Sequence, residues 1–290
     1  MADETQNGAG DEAGDSAQDG AEEISTDTPD PGPPYLIADV FSGDHSGLVG
    51  GAPDWPALAA ATGLYGGIIK AWEGKSFSDT GWFAQNWPAV REAGGDRYGK
   101  SWFRGAYLFL IFGRTGSEQG DAYLKAIDDA GGWGAGDIHP IIDVELGHDA
   151  VPATATKPAR AAHPNQNASK QQVIDCATAC AERIREVTGK KVILYGRRAM
   201  HHLGIKDRMG CDMVWNPSYT PDMHLGGLEA WDPSDIVMWQ YRGDARSLAK
   251  GLPQSIPGFG ECDTSVVLKD GDAAKATLQY LKDSLLEPQD

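Results

Sequence analysis

Basic residues are missing from the start of this chain. Residues 1–34 contain ten Asp and Glu but no Lys or Arg, and they end in the run Pro-Asp-Pro-Gly-Pro-Pro. Such a segment has too little apolar surface to offset the entropy lost on ordering. We therefore expect residues 1–34 to form a disordered acidic tail with a stiff Pro-rich linker, and residues 35–290 to form the folded domain.

The folded part also lacks the positive charge that would attract nucleic acid or an anionic membrane. The chain has a net charge of −17, and because the tail accounts for −10, the remaining 256 residues carry −7. This balance gives no electrostatic reason to expect either as the main partner.

Long apolar runs and a secretory leader are absent as well. The longest apolar run, residues 106–112, is far shorter than the roughly 20 residues of a membrane-spanning helix. No N-terminal stretch combines the basic start and apolar core of a signal peptide. We expect neither a membrane span nor a secretory signal in this chain.

Patterns for metals, cofactors and nucleotides are weak. Four cysteines (176, 180, 211 and 262) are few for this length and are interpreted as buried thiols. The chain has no His-Glu-x-x-His motif, so neither a metal nor a cofactor is expected. Residues 94–101 satisfy the Walker A pattern, but a predicted helix precedes them and a predicted strand follows. A phosphate loop needs the reverse order, so we do not expect nucleotide binding.

Apolar strand patterns alternate with helical patterns along the chain. Strands are expected at 35–41, 67–71, 103–112, 138–145, 191–195, 213–216, 236–241 and 262–266, and helices at 55–61, 81–93, 117–130, 169–188 and 273–286. Alternating βα units imply a parallel sheet, and eight strands suit a closed barrel. Pro217, Pro221 and Pro233 interrupt the later part. The predicted fold class is α/β, a TIM-like (β/α) barrel with an irregular last third.

Two acids end the fourth predicted strand. Asp143 and Glu145 close the run Ile-His-Pro-Ile-Ile-Asp-Val-Glu, and residues two apart on a strand face the same way, roughly 6.6 Å apart along it. Close acids push their pKa values apart, which gives one proton donor and one anion, as glycoside hydrolysis requires. A salt-bridged pair or a solvated strand end is the structural alternative. An Ala-, Pro- and His-rich insertion follows at 146–168, where the active-site loops of barrels belong.

Several separated motifs make the chain similar to glycoside hydrolase family 25, the muramidases of the Chalaropsis-type lysozyme class common among phage endolysins. They are Ile-Ala-Asp-Val (37–40), Asp-Trp (54–55), Gly-Ile-Ile-Lys-Ala-Trp-Glu-Gly (67–74), Gly-Ala-Tyr-Leu-Phe (105–109), Asp-Val-Glu (143–145), Trp-Gln-Tyr (239–241) and Asp263. The resemblance covers residues 35–268. Trp72 and Leu108 stand where the family usually has Thr and His, and Phe41 where a small polar residue is common.

The resemblance implies hydrolysis of the β-1,4 bond between N-acetylmuramic acid and N-acetylglucosamine in peptidoglycan, with retention. Glu145 would protonate the leaving oxygen, and Asp143 would hold the 2-acetamido group for attack on the anomeric carbon, although a carboxylate nucleophile stays open. Asp39 and Asp263 would lie on neighbouring strands and tune this pair. The other expected substrate-binding residues, with core packing as the alternative for the aromatic ones, are Tyr107, Trp215, Trp239, Tyr241, Lys70 and Glu73.

On this interpretation the protein is a lytic enzyme of a phage or bacterium, made in the host cytoplasm and acting on the cell wall. The acidic tail would be a tether to a virion or to a second protein. A barrel that binds wall glycan or serves a virion without cutting is the first alternative, motivated by Trp72 and Leu108. A chitinase-like glycosidase is the second, although Ile141 and Ile142 precede Asp143 where that class usually has alternating acids.

Overall fold

A computed structural model of the protein describes residues 34–41, 53–61, 63–74, 80–147, 149–150, 152–153, 158–159, 161–243, 247–254, 256, 262–268, 277 and 279–282. The predicted acidic tail lies outside these residues except for Pro34. Most of the helix predicted at 273–286 also lies outside them, and the described residues 277 and 279–282 are helical.

Eight strands close into a barrel in which each strand pairs with its neighbours in chain order. They are β1 (Leu36–Val40), β2 (Leu64–Glu73), β3 (Phe103–Phe109), β4 (Ile141–Asp143), β5 (Ile193–Tyr195), β6 (Met213–Pro217), β7 (Ile236–Arg242) and β8 (Asp263–Val267). The predicted closed barrel is confirmed. The parallel sheet expected from the βα units extends over β1 to β7, whereas β8 is antiparallel to both β7 and β1. An antiparallel neighbour needs no crossover helix, and the sequence has no helical pattern between β7 and β8.

Besides the helical residues 277 and 279–282, five helices flank the strands in the described part of the chain: α1 (Trp55–Ala60), α2 (Thr80–Gly94), α3 (Gly116–Asp129), α4 (Lys170–Thr188) and α5 (Arg197–Leu203). The first four confirm the predicted helices. α4 begins at a capping box between Ser169 and Gln172 and ends at Gly189 in the left-handed conformation, so both ends are set locally. Between β6 and β7 the described chain has only a short 3₁₀ turn, Pro233–Asp235, which confirms the irregular last third.

The strands separate two buried apolar layers, because their side chains alternate between the barrel interior and the helices. The interior contains Tyr35, Ile37, Ile68, Tyr107, Ile141, Ile193, Tyr195, Met213, Trp215 and Val267. The outer layer includes Leu36, Ala38, Ile69, Leu108, Ile142, Leu194, Val214 and Tyr241, with the inner faces of the helices. The four cysteines are buried free thiols, as predicted. No helix in the described part is long and apolar enough to cross a membrane.

A buried ion pair lies at the amino end of the barrel. Arg104 Nε and Nη2 donate to the two carboxylate oxygens of Asp137 at 2.7 Å each, and both side chains are buried. The guanidinium group also stacks 3.5 Å from the ring centre of Trp87. Because β3 begins one residue before Arg104, this pair lies at the end opposite Asp143, the last residue of β4.

Candidate active site

The two acids of the Asp-Val-Glu motif lie at the carboxyl end of the barrel but in different settings. Asp143 is the last residue of β4, between Phe109 of β3 and Tyr195 of β5, and it is only 5% exposed. Glu145 lies two residues beyond the strand and is half-buried. The strand is shorter than predicted, so the position of Glu145 depends on contacts outside the regular ladder.

Asp143 has the electrostatic properties of a proton-holding acid. Burial raises its pKa well above the ordinary range, and the negative charges of Glu145, Asp39 and Glu73 raise it further, against the opposing effect of Lys70. Among the described residues, Asp143 Oδ1 has no hydrogen-bond partner. An acid pair in this setting holds a proton at a pH where isolated carboxyl groups have lost theirs.

The other two predicted acids lie side by side. Asp39 of β1 is paired in register with Asp263 of β8, as the predicted neighbouring positions required. Gln240 of β7 joins them, because its Nε2 donates to Asp39 Oδ2 at 2.9 Å and to Asp263 Oδ2 at 3.3 Å. Asp39 also contributes to the raised pKa of Asp143. The structure therefore brings Asp39, Asp143, Glu145 and Asp263 to one end of the barrel.

Two tyrosines fix the orientation of the Gln240 amide. The hydroxyl groups of Tyr195 and Tyr219 donate to Gln240 Oε1 at 2.7 and 2.6 Å. Burial, with nearby carboxylates, raises the pKa of both phenols, so both stay protonated and act as donors. With its oxygen held in this way, the amide directs its NH₂ group to the acids. None of these three residues was predicted in the site, although Gln240 is the middle residue of the Trp-Gln-Tyr motif.

The predicted aromatic residues divide between the two faces of the sheet. Tyr107 and Trp215 face the barrel interior, and Trp215 is buried with its Nε1 donating to Ser265 Oγ at 2.8 Å. Trp239 is half-buried against the outer layer, and its Nε1 donates to the carbonyl of Ser218 at 2.6 Å. Tyr241 is fully buried in the outer layer, where its hydroxyl donates to the carbonyl of Pro253. Its placement favours core packing over contact with a sugar.

Lys70 and Glu73 lie towards the carboxyl end of β2, at the rim of the barrel. Lys70 is buried, forms an ion pair with Glu73, and has its Nζ 4.8 Å from the ring centre of Phe109. His163, from the insertion after β4, has its Nε2 3.9 Å from Glu73 Oε1. Lys70 therefore places a positive charge close to the acids, where it favours ionised Asp143. His163 was not singled out from the sequence, because nothing local to the insertion indicates where it returns to the barrel.

Two of the three departures from the family motifs, Leu108 and Trp72, lie away from the acids. Leu108 is fully buried in the outer layer, and Trp72 is half-buried against the same layer, with its Nε1 donating to the carbonyl of Gly74 at 2.7 Å. Both side chains thus face the helices. In the described part of the chain, no group of three or more His, Cys, Asp or Glu residues is arranged to hold a metal ion.

Comparisons with known proteins agree with this geometry. The family described as Glycosyl hydrolases family 25 matches residues 47–248. A family 25 glycosyl hydrolase from Bacillus anthracis is 24% identical, with 83% of this chain and 92% of that chain covered and a TM-score of 0.58. A bacterial lysozyme from Streptomyces coelicolor is 18% identical, with 86% and 99% covered and a TM-score of 0.59.

A third structure, the modular autolysin LytC from Streptococcus pneumoniae in complex with a synthetic peptidoglycan ligand, is 16% identical over 80% of this chain and 46% of that chain, with a TM-score of 0.54. No curated protein matches the sequence. Since the family match spans more than half of the chain, the protein belongs to glycosyl hydrolase family 25 and is a glycoside hydrolase.

Proposed function

We propose that the protein is a lysozyme that hydrolyses the β-1,4 bond between N-acetylmuramic acid and N-acetylglucosamine of peptidoglycan with retention. The main support is the acid pair at the barrel mouth, in which buried Asp143 has a strongly raised pKa beside half-buried Glu145. Family membership supports the glycosidase chemistry. The similarity to a lysozyme and to an autolysin bound to peptidoglycan supports the choice of substrate.

The proton held by the pair is the proton that the leaving oxygen needs. In the enzyme–substrate complex the shared proton lies on Glu145, the more exposed of the two acids, and Asp143 is the anion; Glu145 then donates this proton to the glycosidic oxygen. The mutual repulsion of two close carboxylates keeps one of them protonated before the reaction. In this order of events Glu145 is the general acid, and only one of the two carboxyl groups has to be protonated.

Asp143 then orients the substrate's own nucleophile. As an anion whose buried Oδ1 has no hydrogen-bond partner among the described residues, it accepts a hydrogen bond from the N–H of the 2-acetamido group. This increases the electron density on the acetamido oxygen, which attacks the anomeric carbon as the bond to the leaving oxygen breaks. Water, deprotonated by Glu145, opens the resulting ring from the other face. Two inversions at the anomeric carbon give overall retention.

Asp39, Asp263 and Gln240 supply the electrostatic background of this reaction. The negative charge of Asp39 helps to keep a proton on the Asp143–Glu145 pair. The carboxylates of Asp39 and Asp263 favour the positive charge that develops on the sugar in the transition state. Gln240 holds Asp39 and Asp263 in place through its two donated hydrogen bonds. Lys70 opposes the excess negative charge at the rim.

The first experiment measures new reducing ends and soluble muropeptides released from purified peptidoglycan. Wild type should leave muramic acid at the new reducing end, identified after borohydride reduction. Glu145→Gln should lower kcat by about 10²–10⁴-fold, the usual contribution of general acid catalysis. Glu182→Gln, an exposed helical residue with the same charge change, is the matched control and should keep wild-type kcat. Release of N-acetylglucosamine at the reducing end instead would contradict the bond assignment.

A second experiment tests the role of the acetamido group. Wild type should hydrolyse N-acetylated glycan and fail on the same glycan after chemical N-deacetylation of its muramic acid residues, because the internal nucleophile is then lost. Early product analysis by NMR should show the β-anomer. Equal rates on both glycans would favour a carboxylate nucleophile, and an initial α-anomer would exclude retention.

The side chains of Trp72 and Leu108 face outward, towards the helices. These two departures therefore no longer support a non-catalytic barrel. Origin from a phage or bacterium and synthesis in the host cytoplasm stay predictions, as does tethering through residues 1–34. Removal of residues 1–33 should release the protein from any virion or partner while leaving hydrolysis of purified peptidoglycan intact. Unchanged localisation after that deletion would rule out the tether.

A further inference from the structure

Asn165 lies where the insertion after β4 returns to the barrel mouth, and its side chain is fully buried. Its Oδ1 accepts a hydrogen bond from the backbone N–H of Phe112 at 3.0 Å. Its Nδ2 donates to the carbonyl of Leu110 at 2.6 Å and to the carbonyl of Glu145 at 2.9 Å. A single amide therefore connects the segment after β3 to the backbone of Glu145.

This connection begins where the regular strand pairing ends. Asp143 is the last residue of β4, and the N–H of Val144 still donates to the carbonyl of Tyr195 at 2.8 Å. Glu145 follows beyond the strand, so its backbone is not positioned by the ladder that positions Asp143. The Asn165 amide takes over this task, because a buried side chain with three hydrogen bonds has little freedom to move.

The turn that contains Asn165 is itself held in place. The N–H of Asn165 donates to His163 Nδ1 at 3.2 Å, and the His163 ring lies edge-on to Phe109 at 5.3 Å. Gly147 packs so closely against this turn that a Cβ added to it would lie 2.0 Å from the Cβ of His163. The insertion therefore returns to the residues just after Glu145 and provides a rigid support for Asn165.

We propose that Asn165 is a positioning residue for Glu145, an inference that rests on the proposed function. Asn165 sets the distance between the Glu145 carboxyl group and the glycosidic oxygen by holding the Glu145 carbonyl. It does not touch the reacting atoms. Its loss should therefore lower kcat more than it changes KM, because substrate binding depends on other surfaces and proton transfer depends on the placement of Glu145.

The test compares Asn165→Ala with Gln119→Ala. Gln119 is also a buried amide, and it holds the same segment after β3 by accepting from the N–H of Ile111 at 2.9 Å and donating to its carbonyl at 3.1 Å. It therefore controls for loosening of that segment. Asn165→Ala should lower kcat on peptidoglycan by about 10–100-fold with KM within about threefold, since a shift of about 1 Å can cost this much. Gln119→Ala should keep kcat within about threefold.

The pH profile separates positioning from general stability. The alkaline limb of kcat, which reports the acid of the enzyme–substrate complex, should shift in Asn165→Ala and stay in place in Gln119→Ala. Circular dichroism establishes that each variant is folded at the assay temperature. If Asn165→Ala does not fold, Asn165→Ser, which keeps a polar group on a shorter side chain, takes its place.

The possible results are distinct. An inactive wild type contradicts the proposed function before Asn165 is considered. An active wild type with a folded Asn165 variant that keeps kcat and its pH profile contradicts the positioning role. Equal losses of kcat in the Asn165 and Gln119 variants would overturn it too, because the effect would then belong to the β3 segment and not to Glu145.

Discussion

Replacement of Gly196 by alanine should disturb the acid pair from the neighbouring strand. Gly196 follows β5 and has a φ angle of 139°, a conformation that L side chains rarely adopt. A Cβ added here would lie 2.1 Å from the carbonyl oxygen of Val144 and 3.0 Å from its Cβ. Val144 lies between Asp143 and Glu145, so any movement that relieves the overlap displaces one or both acids.

The size of the movement follows from the overlap. A carbon atom and a carbonyl oxygen approach to roughly 3.3 Å, so the Val144 carbonyl must move by about 1.2 Å. A displacement of about 1 Å can lower a catalytic rate about 100-fold. The positive φ angle and the overpacking each add on the order of 1–3 kcal/mol of destabilisation. We therefore expect Gly196→Ala to lose about 100-fold in kcat and on the order of 10 °C in Tm, at about 2–4 °C per kcal/mol.

Gly204→Ala is the matched control. Gly204 also has a positive φ angle, 61°, at the end of the following helix, but an added Cβ would have no neighbour within 4 Å. It should lose about 1 kcal/mol from backbone strain and keep its kcat. Muropeptide release and thermal unfolding measure both effects. Wild-type kcat in folded Gly196→Ala, or an equal loss of kcat in Gly204→Ala, would refute the link between this backbone contact and the acid pair.

Three further predictions concern buried charges. The raised pKa of Asp143 means that the folded state binds its proton more tightly than the unfolded state, so this group's stabilisation is lost as pH rises. Asp143→Asn should thus be inactive yet more stable at pH 8 by about 1–2 kcal/mol, with a smaller gain at pH 4 in urea unfolding. Burial lowers the pKa of His139 to about 4, so stability should fall by up to about 3 kcal/mol as pH drops from about 6.5 to 4. If a His139→Phe variant keeps the full dependence of stability on pH, His139 is not the cause of that dependence. Arg104→Met should cost about 3–5 kcal/mol because it leaves Asp137 buried without its cation. Adding Asp137→Asn to Arg104→Met should recover part of the lost stability, and the Arg104 and Asp137 variants should all keep wild-type kcat. If the stability losses of the two single variants simply add in the double variant, that result would argue against a stabilising ion pair.

Local signals in the sequence predicted most of the barrel. The helix at 169–188 was placed within one residue because its capping box and its final glycine are local features. Strand β4 was predicted at 138–145 but covers only Ile141–Asp143, since Pro140 has no N–H to donate and the N–H of His139 donates to Leu281 instead. Helix α5 was missed because its seven residues are too few to show a clear helical period.

The acids of the site could be predicted, whereas the residues that hold them could not. Asp143 and Glu145 are recognisable as a pair because they lie two residues apart in one predicted strand, 138–145. Gln240 contacts Asp39 across 201 positions of the sequence, and Asn165 contacts Glu145 across 20, through an insertion without a regular pattern. Such contacts depend on the closed barrel and on the path of the loop, which no local pattern encodes.

The direction of β8 explains how the last acid reaches the site. Asp263 is the first residue of its strand, and in a wholly parallel barrel the first residues lie at the amino end, away from Asp143. The four steps between the five residues of this strand, at about 3.3 Å each, would then place Asp263 roughly 13 Å from the end of the strand at the barrel mouth. Because β8 is antiparallel, its first residue pairs with Asp39 at the carboxyl end, and Gln240 can hold both carboxylates.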